Sequence, residues 1–537
     1  MHFSLLSADI VLLILDAADP ESLLQFCRAC KWVQYMVMDT ASLRYRVELV
    51  LDGMKDGPPS RYRAHVRLEQ LLSFKKSWPA LSWSEDVTLK ITKPTIMGVS
   101  GGFFYHARQR SSQQYQWALE IYELRSYRVG RPTSTLQHYK FNITFEVQSV
   151  VIDPSQNLLV LVELDHPYNA HPMSVRVHCR DLRTCGIHPH ARAPVFTLPN
   201  NSRSGMLDSQ HASVQQVEVC GSRIALSIRS EFDGSFEMVT ELFIVDWFLN
   251  KTKTWSAGRL SFQFLNETRI VIAAQTVGAT HMIPGHLHSI PQYSTKGTLT
   301  PRLLLGDISN FEDLTVPFLR AFKFPETWTA ISSINIIPNL SPTSEHRTAP
   351  GTLFYPDPAK RIFAVTVEFD RCVNQPSQIM ILEESSLRPA MRTEPPTLTW
   401  PQWKHWCIVN NISDQADCFK VVGRRLMYLQ PIGDTATKSR LYTIEFKPPG
   451  PSRYQSTPLY HHGEGPPILC PSRGAALIKH RTTPSPRSNA MDVYNITMFD
   501  ASEDSIVLYD ETAKTTQVRM LTFGKAATAR GSTCFNR

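Results

Sequence analysis

Asp153-Pro-Ser-Gln-Asn-Leu-Leu-Val-Leu161 and Asp500-Ala-Ser-Glu-Asp-Ser-Ile-Val-Leu508 follow one plan: an aspartate, a polar turn, then a short unbroken apolar run. A continuous apolar run bounded by turn residues marks a strand covered on both faces. Comparable runs recur at Arg223-Ile-Ala-Leu-Ser-Ile228, Arg269-Ile-Val-Ile-Ala273 and Arg361-Ile-Phe-Ala-Val-Thr-Val-Glu368. Val219-Cys-Gly-Ser-Arg-Ile224 parallels Val421-Val-Gly-Arg-Arg-Leu426, each with a glycine turn ahead of an apolar stretch. Glu241-Leu-Phe-Ile-Val-Asp-Trp247, followed by Ser261-Phe-Gln-Phe-Leu-Asn-Glu-Thr-Arg-Ile270, reads as the outer strands of one sheet and the inner strand of the next. Small sheets repeated with turn-rich joins build a β-propeller. The chain after residue 84 is long enough for six to eight blades, and seven is the expectation. The period is irregular and no Trp-Asp signature marks the blades, so a large double sandwich is the alternative all-β architecture. A propeller ring closes by pairing its first and last strands. The strand near Val87–Ile91, or the one near Gln116–Leu124, should therefore lie beside Glu511–Phe523.

The chain before residue 84 has another texture. In Met1–Lys31, apolar residues at Leu6, Ile10, Leu13, Ile14 and Ala17 keep the spacing of one helical face. The pattern stops at Asp19-Pro20-Glu21 and restarts: Asp19 can cap a second helix, Pro20 suits its first position, and Glu21 complements its dipole. Leu23, Leu24, Cys27 and Cys30 line that helix, and Trp32–Met38 is a short apolar third stretch. So few residues cannot bury all their apolar faces on one another, so some of that surface should meet another body. Gly57-Pro58-Pro59-Ser60 reads as a break. Arg61–Trp78 follows as an amphipathic helix, whose basic residues Arg61, Arg63, Arg67, Lys75 and Lys76 are expected on a solvated face.

The opening segment resembles an F-box. Leu6-Ser7-Ala8-Asp9-Ile10 stands where that family has Leu-Pro-x-Glu and a hydrophobic residue, with Ser7 in place of the usual proline. Asp19-Pro20-Glu21-Ser22-Leu23-Leu24 matches the proline-led second helix. Tyr45–Gly57, Leu68-Glu69-Gln70-Leu71-Leu72 and Trp78-Pro79-Ala80-Leu81-Ser82-Trp83 are similar to the region after the box in a group of F-box proteins from mushroom-forming fungi. The resemblance implies docking on the Skp-type adaptor of a cullin–RING ubiquitin ligase. It also implies that Leu6, Ile10, Leu13, Ile14, Pro20, Leu23, Leu24 and Cys27 carry that contact.

Composition narrows the alternatives. With 42% hydrophobic and 19% charged residues the chain is globular rather than disordered. Its net charge of +8 is spread along the sequence without a basic stripe, which argues against nucleic acid as a partner. No apolar run approaches the ~20 residues that span a bilayer, so no membrane is expected either. Asp9, Asp16 and Asp19 interrupt the N-terminal apolar stretch, unlike a secretory signal, and a cytoplasmic or nuclear location is expected. The ten cysteines are scattered and read as reduced thiols, mostly buried.

No catalytic set stands out. The chain lacks Gly-x-Ser-x-Gly and His-Glu-x-x-His, and Gly101-Gly102 lacks a nucleotide-binding context. His281, His286 and His288, and the pair His461-His462, read as surface loops, so no metal or cofactor is expected. Glu383-Glu384 and Glu503-Asp504 read as turn residues, and Trp400, Trp403 and Trp406 as core. The basic loop Lys479–Arg487, with Thr483-Pro and Ser485-Pro, reads as a flexible segment that phosphorylation could regulate. The expected organisation is a three-helix F-box-like unit over 1–57, a linker and helix over 58–84, a propeller-like domain over 85–524 and a disordered tail over 525–537. Long loops on the propeller faces are expected at 165–175, 186–214, 276–300, 338–358 and 448–490. The expected function is a non-enzymatic adaptor whose β domain holds a target protein. The alternative is a propeller enzyme or carbohydrate binder whose N-terminal helices cap its own domain.

Overall fold

The computed structural model describes residues 6–524 except 61, 111–115, 130–136, 166–173, 199–210, 232–237, 278–298, 313–315, 329–330, 342–350, 371–374, 388–396, 413–416, 433–437, 447–489 and 513. Most of the expected long loops, and the tail, lie outside the described residues.

The chain opens with α1 (Ala8–Ala17), α2 (Pro20–Ala29), α3 (Lys31–Asp39) and α4 (Ala41–Leu51). A short strand β1 (Met54–Asp56) follows, then α5 (Ala64–Ser77) and β2 (Trp83–Thr92). A seven-bladed β-propeller comes next. β3 (Ile96–Ser100), β4 (Phe103–Gln109), β5 (Trp117–Glu123) and β6 (His138–Ile143) form the first blade. The second holds β7 (Ser149–Asp153), β8 (Leu158–Asp165), β9 (Ser174–Asp181) and β10 (Val195–Thr197). The third holds β11 (His211–Cys220), β12 (Arg223–Glu231), β13 (Met238–Asp246) and β14 (Lys251–Ala257). The fourth holds β15 (Arg259–Asn266), β16 (Arg269–Val277), β17 (Leu299–Asp307) and β18 (Phe318–Lys323). β19 (Ile331–Ile337) opens the fifth, and the excursion β20 (Phe354–Pro356) follows it. β21 (Ile362–Phe369) and β22 (Gln378–Glu383) continue that blade, β23 (Thr397–Leu398) adds a parallel edge to the fourth, and β24 (Cys407–Asn411) completes the fifth. The sixth holds β25 (Asp417–Val422), β26 (Arg425–Pro431), β27 (Lys438–Glu445) and β28 (Ala490–Tyr494). β29 (Met498–Ala501), β30 (Ser505–Glu511) and β31 (Thr515–Phe523) make the seventh, and β2 is its fourth strand.

The closing pair is the one expected at Val87–Ile91. Val87 lies opposite Met520 and Ile91 opposite Thr516, so the start of the propeller chain zips onto its end. Each apolar run read from the sequence is the second strand of a blade, covered on both faces by neighbouring blades. Leu158, Leu159, Val160, Leu161 and Val162 are all fully buried, whereas β2, an outermost strand, alternates between exposed and half-covered residues up to the buried Ile91.

Side chains of the innermost strands join blade to blade. The Ser100 hydroxyl accepts from the Ile152 N–H at 2.9 Å, and Gln156 donates to the Gly221 carbonyl at 3.1 Å. Gln216 and Glu218 accept from the Phe262 and Phe264 N–H groups at 3.3 and 3.1 Å. Ser261 and Gln263 do the same for Ile336 and Asn339 at 2.6 and 2.9 Å. Asn339 then accepts from the Gly423 N–H at 2.9 Å, and Lys420 pairs with Asp500 at 2.5 Å. The bonds to Ile152, Phe262, Phe264 and Ile336 satisfy N–H groups that the innermost strands would otherwise leave unpaired on their channel-side edge.

Candidate functional site

The helices form two layers. α1, α2, α3 and one side of α4 enclose a small core of their own: Val11, Leu15, Leu23, Cys27, Val33, Val37, Leu43 and Val47. The other side of α4, with Tyr45 and Leu49, packs with α5 onto the propeller at the end where the first and second strands of each blade are joined. There Leu68, Leu71, Phe74 and Trp78 meet Leu353, Phe354, Val422 and Phe523, and the Trp78 ring stacks on Phe523 at 4.1 Å.

The second helix begins as its sequence requires. Pro20 is its first residue, and the Asp19 carboxylate accepts from the Glu21 and Ser22 N–H groups at 3.1 and 2.9 Å. The Ser22 hydroxyl also donates to it, and these bonds hold the Asp19 carboxyl below its usual range. Arg46 caps the end of α1, donating to the carbonyls of Leu15, Asp16 and Ala18.

The expected docking residues divide into two groups. Leu23 and Cys27 are buried in the unit's own core, where burial pushes the Cys27 thiol up, and Leu6 and Leu24 pack against that core. Pro20 is exposed at the start of α2. Ile10, Leu13 and Ile14 are 47%, 71% and 37% exposed and share one face of α1. Exposed apolar area continues on residues outside the expected set, Phe26 on α2 and Trp32 and Tyr35 on α3. For Trp32 and Tyr35 the signal in the sequence was the apolar third stretch itself. Eight acidic residues against five basic ones leave residues 1–57 with a net charge of −3.

The Gly57-Pro58-Pro59 segment, read as a break, is fixed to the propeller. β1 pairs with β20 through Met54–Pro356, Lys55–Tyr355 and Asp56–Phe354, and the Gly57 N–H donates to the Leu353 carbonyl at 2.9 Å. A Cβ at position 57 would collide with the Thr352 carbonyl oxygen. Arg67 binds the Asp56 carboxylate, the Pro58 carbonyl at 2.9 Å and the Ser60 hydroxyl at 2.8 Å. Lys75 bridges Glu48 and Asp52 at 2.8 and 3.0 Å. Arg67 and Lys75, read as part of a solvated basic face, are therefore paired inside the molecule. Lys360 of the fifth blade reaches Glu21 on α2 at 3.5 Å.

The remaining residues singled out by sequence fall in structural places. Trp403 is fully buried, and Trp400 and Trp406 pack partly covered against the same core. Glu383 pairs with Arg424 at 2.7 Å, and Glu384 is fully buried against Arg361 and Gln263. Asp504 takes a two-pronged grip from Arg128, which also meets Glu503. These acids do more than the turn role read from sequence: each anchors a buried arginine. Gly101-Gly102 is the turn between β3 and β4. Cys27, Cys179, Cys220 and Cys407 are buried, while Cys30 is exposed. Among the described residues no group of three His, Cys, Asp or Glu could hold a metal ion, and no helix is long and apolar enough to cross a membrane. His281, His286, His288, His461, His462, Thr483 and Ser485 lie outside the described residues.

No family of known proteins and no curated protein matches the sequence. Among solved structures the chain is similar to the β-propeller domain of the Trilobed protease from Pyrococcus furiosus, at 11% identity and a TM-score of 0.38 over 79% of this chain and 93% of that one. It is also similar to the Pyrococcus horikoshii acylaminoacyl peptidase, at 11% identity and a TM-score of 0.36, over 79% of this chain and 50% of that one. Polysaccharide lyase Uly1 follows at 9% identity and a TM-score of 0.35, over 80% and 90% of the two chains. The blade count rests on the sheets described above, not on these likenesses.

Proposed function

We propose that the chain is a recruiting adaptor: its N-terminal helices dock on the Skp-type adaptor of a cullin–RING ubiquitin ligase, and its propeller holds a target protein. One observation carries this reading. α1 presents Ile10, Leu13 and Ile14 to solvent although the helical unit has a closed core and lies beside a large propeller that could have covered them. The F-box resemblance of the same segment supplies the occupant. Binding would be apolar burial at a few anchors, and losing one costs on the order of 2 kcal/mol or more.

The test follows from which residues face outward. Ile10→Asp with Leu13→Asp should abolish binding to a purified Skp-type adaptor in calorimetric titration while thermal unfolding stays unchanged. Undiminished binding would remove this face of α1 as the docking surface, and absent binding by the parent would remove the adaptor reading. The rival reading, a propeller enzyme or carbohydrate binder capped by its own helices, draws on the packing of α4 and α5 against the propeller. It expects no adaptor binding by the parent chain.

A further inference from the structure

The helices, β1 and β20 occupy the propeller end where the first and second strands of each blade are joined. The opposite end, where the chain enters each innermost strand, holds a cavity of about 400 Å³ spanning the seventh, first and second blades. Its wall comes from the link between β2 and β3 (Lys93, Pro94, Thr95), the starts of β3, β7 and β29 (Ile96, Met97, Ser149, Met498), Gln148 before β7, Tyr105 on β4 and Glu511 at the end of β30. That volume falls within the range of sites that hold small ligands or a few residues of a peptide.

The side chains in this wall are poised for a ligand rather than for each other. The Lys93 ammonium, the Glu511 carboxylate and the Thr95 and Ser149 hydroxyls make no side-chain hydrogen bond or ion pair among the described residues, while the Tyr105 phenol lies in the field of the Asp500 carboxylate. Gln148 is held by Glu146 at 2.8 Å. Gly98 makes room for the Tyr105 hydroxyl, which would stand 2.8 Å from a Cβ at that position. The lining thus offers one cation, one anion, neutral donors and acceptors, and the pliable apolar side chains Met97 and Met498. A single lysine opposed by a glutamate is poorly matched to a phosphate group or polyanion, which calls for several cations.

Resting on the recruiting role proposed above, we infer that this cavity is the target-recognition site. It receives a short extended stretch of unphosphorylated polypeptide carrying one acidic and one basic side chain. Lys93 takes the acidic side chain, Glu511 takes the basic one, and the hydroxyls bind backbone amides. Both charged residues are exposed, so reversing either charge leaves the fold alone.

The experiment screens the full chain against an arrayed library of hexapeptides with blocked termini, varied at every position and including phosphorylated and glycosylated members. Peptides with one acidic and one basic residue at a fixed spacing should be enriched. Lys93→Glu should weaken them about tenfold and switch the preferred acidic position to basic, and Glu511→Lys should make the reverse switch. Failure to enrich any peptide, selection of phosphorylated or glycosylated members alone, or an unchanged preference in both variants would overturn the inference. Adaptor titration of the parent chain keeps the two readings separate. No adaptor binding with intact peptide selection strikes the proposed function, and adaptor binding without peptide selection strikes only this site.

Discussion

His106 is 3% exposed, and neither of its ring nitrogens has a hydrogen-bond partner among the described residues. It sits on β4, on the wall that meets Val507, Tyr509, Val518 and Met520 of the last blade. Burial holds its pKa down to about 4 from an ordinary 6.5, with Glu120 opposing and Arg108, His138 and Lys140 assisting. The unfolded chain therefore binds the proton that the fold refuses, and stability contributed here is present above 6.5 and lost as the pH falls toward 4. Glu218 acts in the opposite sense. Burial pushes it up to about 7 from 4.5, so its contribution is complete below 4.5 and is lost as the pH rises through 7. Relative to the parent, His106→Leu should gain up to about 3 kcal/mol between pH 6.5 and 4, whereas Glu218→Gln should gain stability as the pH rises from 4.5 to 7. Urea midpoints across that range read both, and parallel curves for parent and variants would refute the assignment. The same scale explains why Leu23 and Leu13 part company. α1 is apolar at Ile10 through Leu15 with no gap, so its sequence could not say which side faces out. Only the contacts made by Val11 and Leu15 leave Ile10, Leu13 and Ile14 outside. Leu23→Ala should cost the helical unit about 2–5 kcal/mol, read by hydrogen exchange in α2.

At the level of elements, α5 is the bolt between helices and propeller. Trp78 stacks on Phe523, while Arg425 lies over both Phe74 at 5.1 Å and Trp78 at 4.5 Å. Trp78→Ala should cost about 3–5 kcal/mol and increase exchange in both α4 and β31, measured by amide exchange with mass readout. An effect confined to α5 would argue against its bolting role. The blades also carry a repeat that the sequence reading passed over. Arg223 lies opposite Asp246, Arg269 opposite Asp307 and Arg425 opposite Glu445, and Arg361 binds Glu384 at the corresponding place. An arginine opening the second strand is answered by an acid near the end of the third. The arginines were visible ahead of their apolar runs, but the acids lie at varying distances down the chain because the connecting loops differ in length. Loop length costs little to vary, so the blade can persist while its period fades.

For the whole molecule, closure decides stability. β2 belongs to the seventh blade although it precedes the first, so removing residues 1–92 should leave β31 as an open edge and uncover Val518 and Met520. That truncation should aggregate or lose cooperative unfolding, whereas removal of residues 1–39 should leave the propeller's melting transition within a few degrees of the parent. Calorimetry with size-exclusion chromatography distinguishes the two, and a stable monomer lacking 1–92 would contradict closure by β2. The sequence alone settled the all-β class of the large domain, the blade-like repeats and the Asp19-capped, proline-led second helix, and it narrowed the closing strand to two candidates, of which the register of β2 against β31 selects Val87–Ile91. Those features are written in local periodicity and turn chemistry, and each survives transfer from one environment to another. Only the tertiary structure decided which apolar residues of α1 remain outside, that Gly57-Pro58-Pro59 is a fixed joint, and that Arg67 and Lys75 are paired inside the molecule. Those outcomes depend on what stands opposite each residue. Leu353, Asp56 and Glu48 reach their partners through space, at separations that no local pattern records.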